Sequence, residues 1–167
     1  LGADKFYKYK NYSFNQRWLR YIYILTMIQN HNLINKDNIW VDVGPYYGGL
    51  QGLVKKYNQN VRMVLVDFHH QLCRSYIYLK TLYPDARHLT PLKMQKYTDF
   101  NTLPVGSIAY LPASSFSHYS DNKVQFTSNF FSLGEMKKSF FDEYLDSNIF
   151  KDAKFTYLVN RFVSAPF

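Results

Sequence analysis

The chain has 167 residues, 47% of them apolar and 19% aromatic, with 20 basic against 12 acidic side chains for a net charge of +8. That length suits one domain with a single core, and the apolar share excludes a disordered chain. Its single cysteine, Cys73, excludes an intrachain disulfide, and no apolar run approaches the roughly 20 residues of a membrane-spanning helix.

With no signal-peptide pattern, a reducing, cytoplasmic setting is expected. The positive field suits an anionic partner of any kind. Beyond the pairs Lys55-Lys56 and Lys137-Lys138 the basic residues are scattered, so no nucleic-acid arm stands out.

Residues 1–12 are polar and rich in Lys and Tyr, which suggests a lead-in arm ahead of one domain over 13–167. Ser13 with Gln16 matches a capping box. Phe14, Trp18, Ile22, Leu25 and Ile28 then fall at helical spacing, which predicts a helix to about residue 30. Ile39 to Val43 (IWVDV) is a short apolar run ended by Gly44, the pattern of a buried parallel strand. A tight loop to Gly49 and a helix to Tyr57 follow.

Arg62 to Val66 (RMVLV) predicts a second strand, ended by Asp67. Leu72, Tyr76, Leu79 and Tyr83 share one face of the next helix, where Cys73 is expected to be buried and inert, and Pro84 stops it. Ala86–Thr90, Ser107–Leu111 and Phe155–Val159 predict the third, fourth and fifth strands. Asn160-Arg161 stands at the end of the fifth. A second capping box, Ser132 with Glu135, opens a helix carrying Met136, Phe140, Tyr144 and Leu145. Alternating strands and helices predict an α/β fold with a parallel sheet, whose ligands gather at the carboxyl ends of the strands.

The segment Asp42-Val43-Gly44-Pro45-Tyr46-Tyr47-Gly48-Gly49 lies at such an end. Gly44 suits a sharp turn, and Gly48 and Gly49 suit a close approach of helix, strand and ligand. Asp67 follows Gly44 by 23 residues, the spacing at which a carboxylate meets a ribose diol. A dinucleotide fingerprint needs a glycine where Tyr46 stands, and a P-loop needs Lys and Ser/Thr where Leu50 and Gln51 stand. S-adenosylmethionine has a ribose and no phosphate, and its sulfonium tolerates tyrosine rings. It is therefore the expected cofactor, held by Asp42, Gly44, Pro45, Tyr46, Tyr47, Gly48, Asp67, Phe68, His69 and Pro112.

The blocks Trp40–Tyr57 (WVDVGPYYGGLQGLVKKY), Val64–Pro84 and Ser128–Met136 (SNFFSLGEM) resemble the sugar O-methyltransferases of bacteria, which are similar in turn to class I S-adenosylmethionine methyltransferases. Asp42, Gly44 and Gly48 match that class's glycine pattern, and Tyr46 departs from it. Thr90-Pro91 stands where the class often has an acidic residue near adenine. The resemblance implies a Rossmann-like three-layer sandwich with strand order 3-2-1-4-5. The chain ends soon after its fifth expected strand, so the class's last two strands are expected to be missing and an open edge to remain for a homo-oligomer.

The resemblance also implies methylation of a sugar hydroxyl, on a sugar or sugar-nucleotide substrate of surface-polysaccharide synthesis. His118, after the fourth expected strand, is the expected catalytic base. An RNA or other anionic substrate is the alternative, as is a domain that binds cofactor or a partner without turnover; nucleic acid is the less expected partner. One cysteine and five histidines without H-x-x-x-H or C-x-x-C spacing argue against a metal site.

Overall fold

In the computed structural model, which describes residues 6–35 and 38–160, the chain opens on an antiparallel hairpin of β1 (Phe6–Tyr9) and β2 (Tyr12–Asn15). The expected boundary between residues 12 and 13 thus falls inside β2, and residues 1–5 of the expected arm lie outside the described residues. Ser13 sits in β2 rather than at a cap. Asn15 caps helix α1 (Gln16–Asn30) instead, its Oδ1 accepting the Trp18 N–H at 2.9 Å.

The sheet begins with β3 (Ile39–Val43), followed by α2 (Gly49–Tyr57), β4 (Arg62–Asp67) and α3 (His69–Leu82). The next stretch is short and broken: β5 is only His88–Leu89, and the one-turn helix α4 (Pro91–Met94) follows at once. Then come β6 (Ile108–Pro112), a 3-10 segment over Ala113–Tyr119, and β7 (Phe126–Phe130). Helices α5 (Lys138–Asp146) and α6 (Asn148–Lys151) lead to β8 (Phe155–Val159).

The six strands β3 to β8 are all parallel, in the order β5-β6-β4-β3-β7-β8. This corrects the expected order in two ways. The strand beyond β3 is β7, which the sequence reading missed, and not Ser107–Leu111, whose strand β6 lies on the far side of β4. The stretch expected as a third strand is two residues long and reaches only the outer edge of β6. The physical reason for the miss lies in β7 itself. Its sequence, FTSNF, carries three buried polar residues in a row, so it lacks the apolar run that marks a buried strand.

Two apolar layers flank the sheet. On one face Ile24 and Ile28 of α1, Leu50 and Val54 of α2, and Leu72 and Leu79 of α3 pack on Trp40, Met63, Leu65, Tyr110 and Phe126. On the other, Met94, Phe100, Phe116, Tyr144, Ile149 and Phe150 pack on Ile39, Val41, Val43, Val64 and Val66. Strand residues alternate between the two layers, as a pleated strand requires. Asp42 is therefore on the side of Trp40, below the first turn of α2.

The Tyr76, Tyr78 and Tyr83 rings of α3 and its cap serve packing: Tyr76 meets Tyr110 edge-on, Tyr78 meets Tyr47, and the Tyr83 hydroxyl donates to Gly52 O at 2.6 Å. Cys73 departs from expectation, because its position on α3 faces outward and leaves it exposed. No helix among the described residues is long and apolar enough to cross a membrane.

Candidate cofactor and acceptor cleft

The carboxyl ends of β3, β4 and β7 open into one cleft of about 830 Å³, within the size range of small-molecule sites. Asp42, Gly44, Pro45, Tyr46, Asp67, Phe68 and His69 line it. Tyr47, Gly48 and Pro112 do not. Tyr47 is turned into an aromatic cluster with Tyr21 and Tyr78, Gly48 is buried at the start of α2, and Pro112 ends β6 beside Asp67. His118 is exposed on the 3-10 segment and is absent from the lining, which that segment enters only through Ala113 and Ser114.

The two carboxylates behave differently. Asp42 is 1% exposed. Its Oδ1 accepts the Ser128 hydroxyl at 2.5 Å, and its Oδ2 accepts the side-chain amide of Gln51. Burial pushes its pKa up to about 7, against the pull of those two donors. Gln51 Oε1 is buried with no hydrogen-bond partner among the described residues, and Gln51 lines the cleft. An unpaired buried acceptor is costly, so this oxygen is suited to receive a donor from a ligand.

Asp67 is half-buried beside the glycine turn. Its carboxylate accepts the Phe68 N–H at 2.8 Å and the Tyr46 N–H. Burial raises its pKa, and these two backbone donors oppose the rise. A carboxylate offers about four lone-pair sites, so roughly two remain for a diol.

Tyr46 holds the left-handed backbone, φ +58°, where the class pattern has glycine. Four contacts hold it there. Its N–H meets Asp67, its carbonyl accepts the Ser75 hydroxyl at 2.7 Å, its ring meets Tyr47 edge-on, and the Arg17 guanidinium lies 4.9 Å from the ring centroid. Such over-determination is what sustains a non-glycine residue at positive φ.

Gly44 makes the expected sharp turn, whereas the close approach at Gly48 is to the protein rather than to a ligand. A Cβ on Gly44, at φ +77°, would overlap Ser132, and one on Gly48 would press on Leu79. Both positions are cleared for the protein's own side chains. The Gly44 backbone still lines the cleft.

Several cleft residues carried no recognisable signal in the sequence. Arg17 and Arg20 project from α1, and Arg20 lies 4.3 Å from the Phe131 ring centroid. Phe131 also has positive φ, +71°. Asn129 fastens the end of β7 to the end of β3: its amide donates to Val43 O at 2.7 Å and to the Ser132 hydroxyl. Its Oδ1 accepts the Leu133 N–H at 3.0 Å. The segment Ser128–Met136, one of the blocks that resemble the methyltransferases, forms this clasp.

Ser132 does not cap a regular helix. A 3-10 turn covers Leu133–Glu135, α5 starts at Lys138, and Glu135 lies exposed on the cleft wall. Asn160 Oδ1 accepts the Gly134 N–H at 3.3 Å, and Arg161 lies outside the described residues.

A parallel sheet with this glycine turn, a carboxylate ending the next strand and helices on both faces is a Rossmann-like fold, of the kind seen in class I S-adenosylmethionine-dependent methyltransferases. No family model matches the chain, and no curated protein does either. Among solved structures, the chain is similar to the methyltransferase domain of bacterial-CtHen1-CN, with a TM-score of 0.51 and 12% sequence identity. The match covers 81% of this chain and 63% of that one.

This likeness corrects the expected partners. It leaves the sugar acceptor without support and overturns the expectation that nucleic acid is the less favoured partner.

Proposed function

We propose that the chain transfers a methyl group from S-adenosylmethionine to an anionic acceptor, with nucleic acid the favoured class. The observation that carries this is the acceptor set on one wall of the cleft: Asp42, the unpaired Gln51 Oε1 and Asp67, around a glycine turn. Asp42 and Gln51 Oε1 suit the ammonium of an amino-acid moiety, and Asp67 suits a ribose diol. A pyrophosphate would meet the two carboxylates instead of backbone donors. The cofactor's sulfonium supplies an electrophilic methyl group. The chain's part is to hold donor and acceptor in line and to exclude water, which Phe130, Phe131, Met136 and Phe140 in the same lining are suited to do.

The acceptor class rests on charge. Arg17, Arg20 and Lys137 line the cleft, and none has a carboxylate partner among the described residues. Unpaired guanidiniums suit phosphate. Besides the two carboxylates given to the cofactor, His69 and Glu135 are side chains in the lining able to take a proton from an acceptor, whereas His118 stands off it.

Titration calorimetry with S-adenosylmethionine, S-adenosylhomocysteine and NAD tests the cofactor. The first two should bind and NAD should not; tight NAD binding alone would reverse the reading. Transfer of labelled methyl groups to RNA, DNA and sugar nucleotides tests the acceptor.

A further inference from the structure

The hairpin of β1 and β2 precedes α1, and its residues are exposed except Phe14 and Asn15, which are half-buried where it joins the helix. Phe6, Tyr7, Tyr9 and Tyr12 are 64%, 50%, 64% and 65% exposed. Its register pairs Tyr7 with Phe14 and Tyr9 with Tyr12. Directly opposed residues share a face and alternate residues return to it, so these four rings make one aromatic face. Tyr12 and Phe14 are stacked with centroids 6.1 Å apart. Exposed aromatics at this density, without a core beneath them, do not stabilise a two-stranded hairpin enough to explain their presence.

Charge tells what would cover this face. From Phe6 to Arg20 the chain carries Lys8, Lys10, Arg17 and Arg20 and no acidic residue. Lys10 Nζ lies 5.4 Å from the Tyr9 ring centroid. The hairpin runs directly into α1, whose Arg17 and Arg20 line the cleft with their guanidiniums over Tyr46 and Phe131. Rings beside cations that have no carboxylate partner among the described residues, leading from an open face to a cleft, match a ligand that offers flat bases and phosphates in alternation. A duplex keeps its bases stacked on one another and has no face to offer these rings.

We infer that the hairpin and the first turns of α1 form a track for single-stranded nucleic acid, with bases stacked on Tyr7, Tyr9 and Tyr12 and phosphates met by Lys10, Arg17 and Arg20. The inference rests on the methyl-transfer reading for what lies at the end of the track, and binding to the track itself needs no cofactor.

Fluorescence anisotropy of the full chain with labelled oligouridylate, oligothymidylate and a duplex of equal length tests it. Both single strands should bind, more tightly than the duplex and less tightly as salt rises. The uridylate and thymidylate arms tell RNA from DNA as the source. Tyr9→Ala with Tyr12→Ala should weaken single-strand binding roughly tenfold or more. Tyr9→Phe with Tyr12→Phe keeps the rings and should bind as the parent does. Lys10→Gln should flatten the salt dependence by about one phosphate contact.

Duplex bound as tightly as single strand, unchanged binding in the alanine pair, or equal loss in the phenylalanine pair overturns the track. Calorimetry with S-adenosylhomocysteine keeps the two readings apart. A parent chain that binds single strands but not the cofactor analogue loses the methyl-transfer reading and keeps the track. One that binds the analogue but no single strand loses the track alone.

Discussion

Ser128 donates its hydroxyl to Asp42 Oδ1 at 2.5 Å while accepting the indole N–H of Trp40 at 2.7 Å. One side chain on β7 thus satisfies two buried polar groups of β3, and it is one of the two donors that hold the Asp42 pKa down against burial. Ser128→Ala should remove a donor from Asp42 and leave the Trp40 N–H unpaired. The expected loss is about 1–3 kcal/mol of stability, read by urea denaturation. A change within experimental error would mean that water replaces the hydroxyl.

Asp42 should also give the protein a distinctive pH dependence. Its folded pKa, about 7, lies above its ordinary value of 3.8. Between those two pH values the unfolded chain is ionised here while the folded chain keeps its proton. The folded state therefore binds more protons, and this group's contribution to stability falls as pH rises through the window, on the order of 1.4 kcal/mol per pH unit at most. Asp42→Asn should flatten that part of the curve of unfolding free energy against pH. An ammonium-bearing ligand favours the ionised form, so affinity for S-adenosylhomocysteine should rise as pH passes through the Asp42 pKa.

Asp67→Asn keeps the shape of the side chain and halves its acceptor capacity for a diol. Affinity for S-adenosylhomocysteine should fall roughly tenfold, about 1.4 kcal/mol, with little change in melting temperature. Calorimetry of the variant with adenosine and with 2′-deoxyadenosine sharpens the test. Parent Asp67 should discriminate between the two, and the variant should not.

Gly44→Ala is expected to be among the most damaging single changes in the loop. It combines a left-handed backbone with overlap against Ser132, for a loss of about 2–4 kcal/mol. Ser132→Gly in the same chain should recover the part that comes from overlap and leave the backbone part. A double-mutant cycle by chemical denaturation measures that coupling; additive losses would show that Ser132 moves aside freely.

Cys73 should react with a maleimide in the native protein at a rate close to that of the unfolded chain, since it is exposed on α3. Cys73→Ser should change stability by no more than about 0.5 kcal/mol. Slow labelling that needs denaturant would place the thiol inside.

The strands β3 and β4, the glycine turn and Asp67 were legible in the sequence because each is local. An apolar run bounded by glycine, and a carboxylate at a fixed spacing, are written in consecutive residues. The strand order was not legible. It depends on which of two candidate strands reaches the free side of β3, and the apolar one, β6, lost that place to the polar β7. Thr127, Ser128 and Asn129 look unfit for a buried strand one at a time. Two of them become fit only when β3 brings Asp42, Trp40 and the Val43 carbonyl against them.

The site divides in the same way. Sequence alone determined a parallel α/β fold with a glycine-rich strand-to-helix turn, since backbone turns and side-chain periodicity are short-range properties. It also placed Asp42 and Asp67 at strand ends. Tertiary structure alone decided that Gln51 Oε1 is left without a partner among the described residues, that Arg17 and Arg20, more than twenty residues before the turn, reach the cleft from α1, and that His118 stays outside. Burial, pairing and distance between remote segments are set by how the layers close on one another, and no window of consecutive residues contains that information.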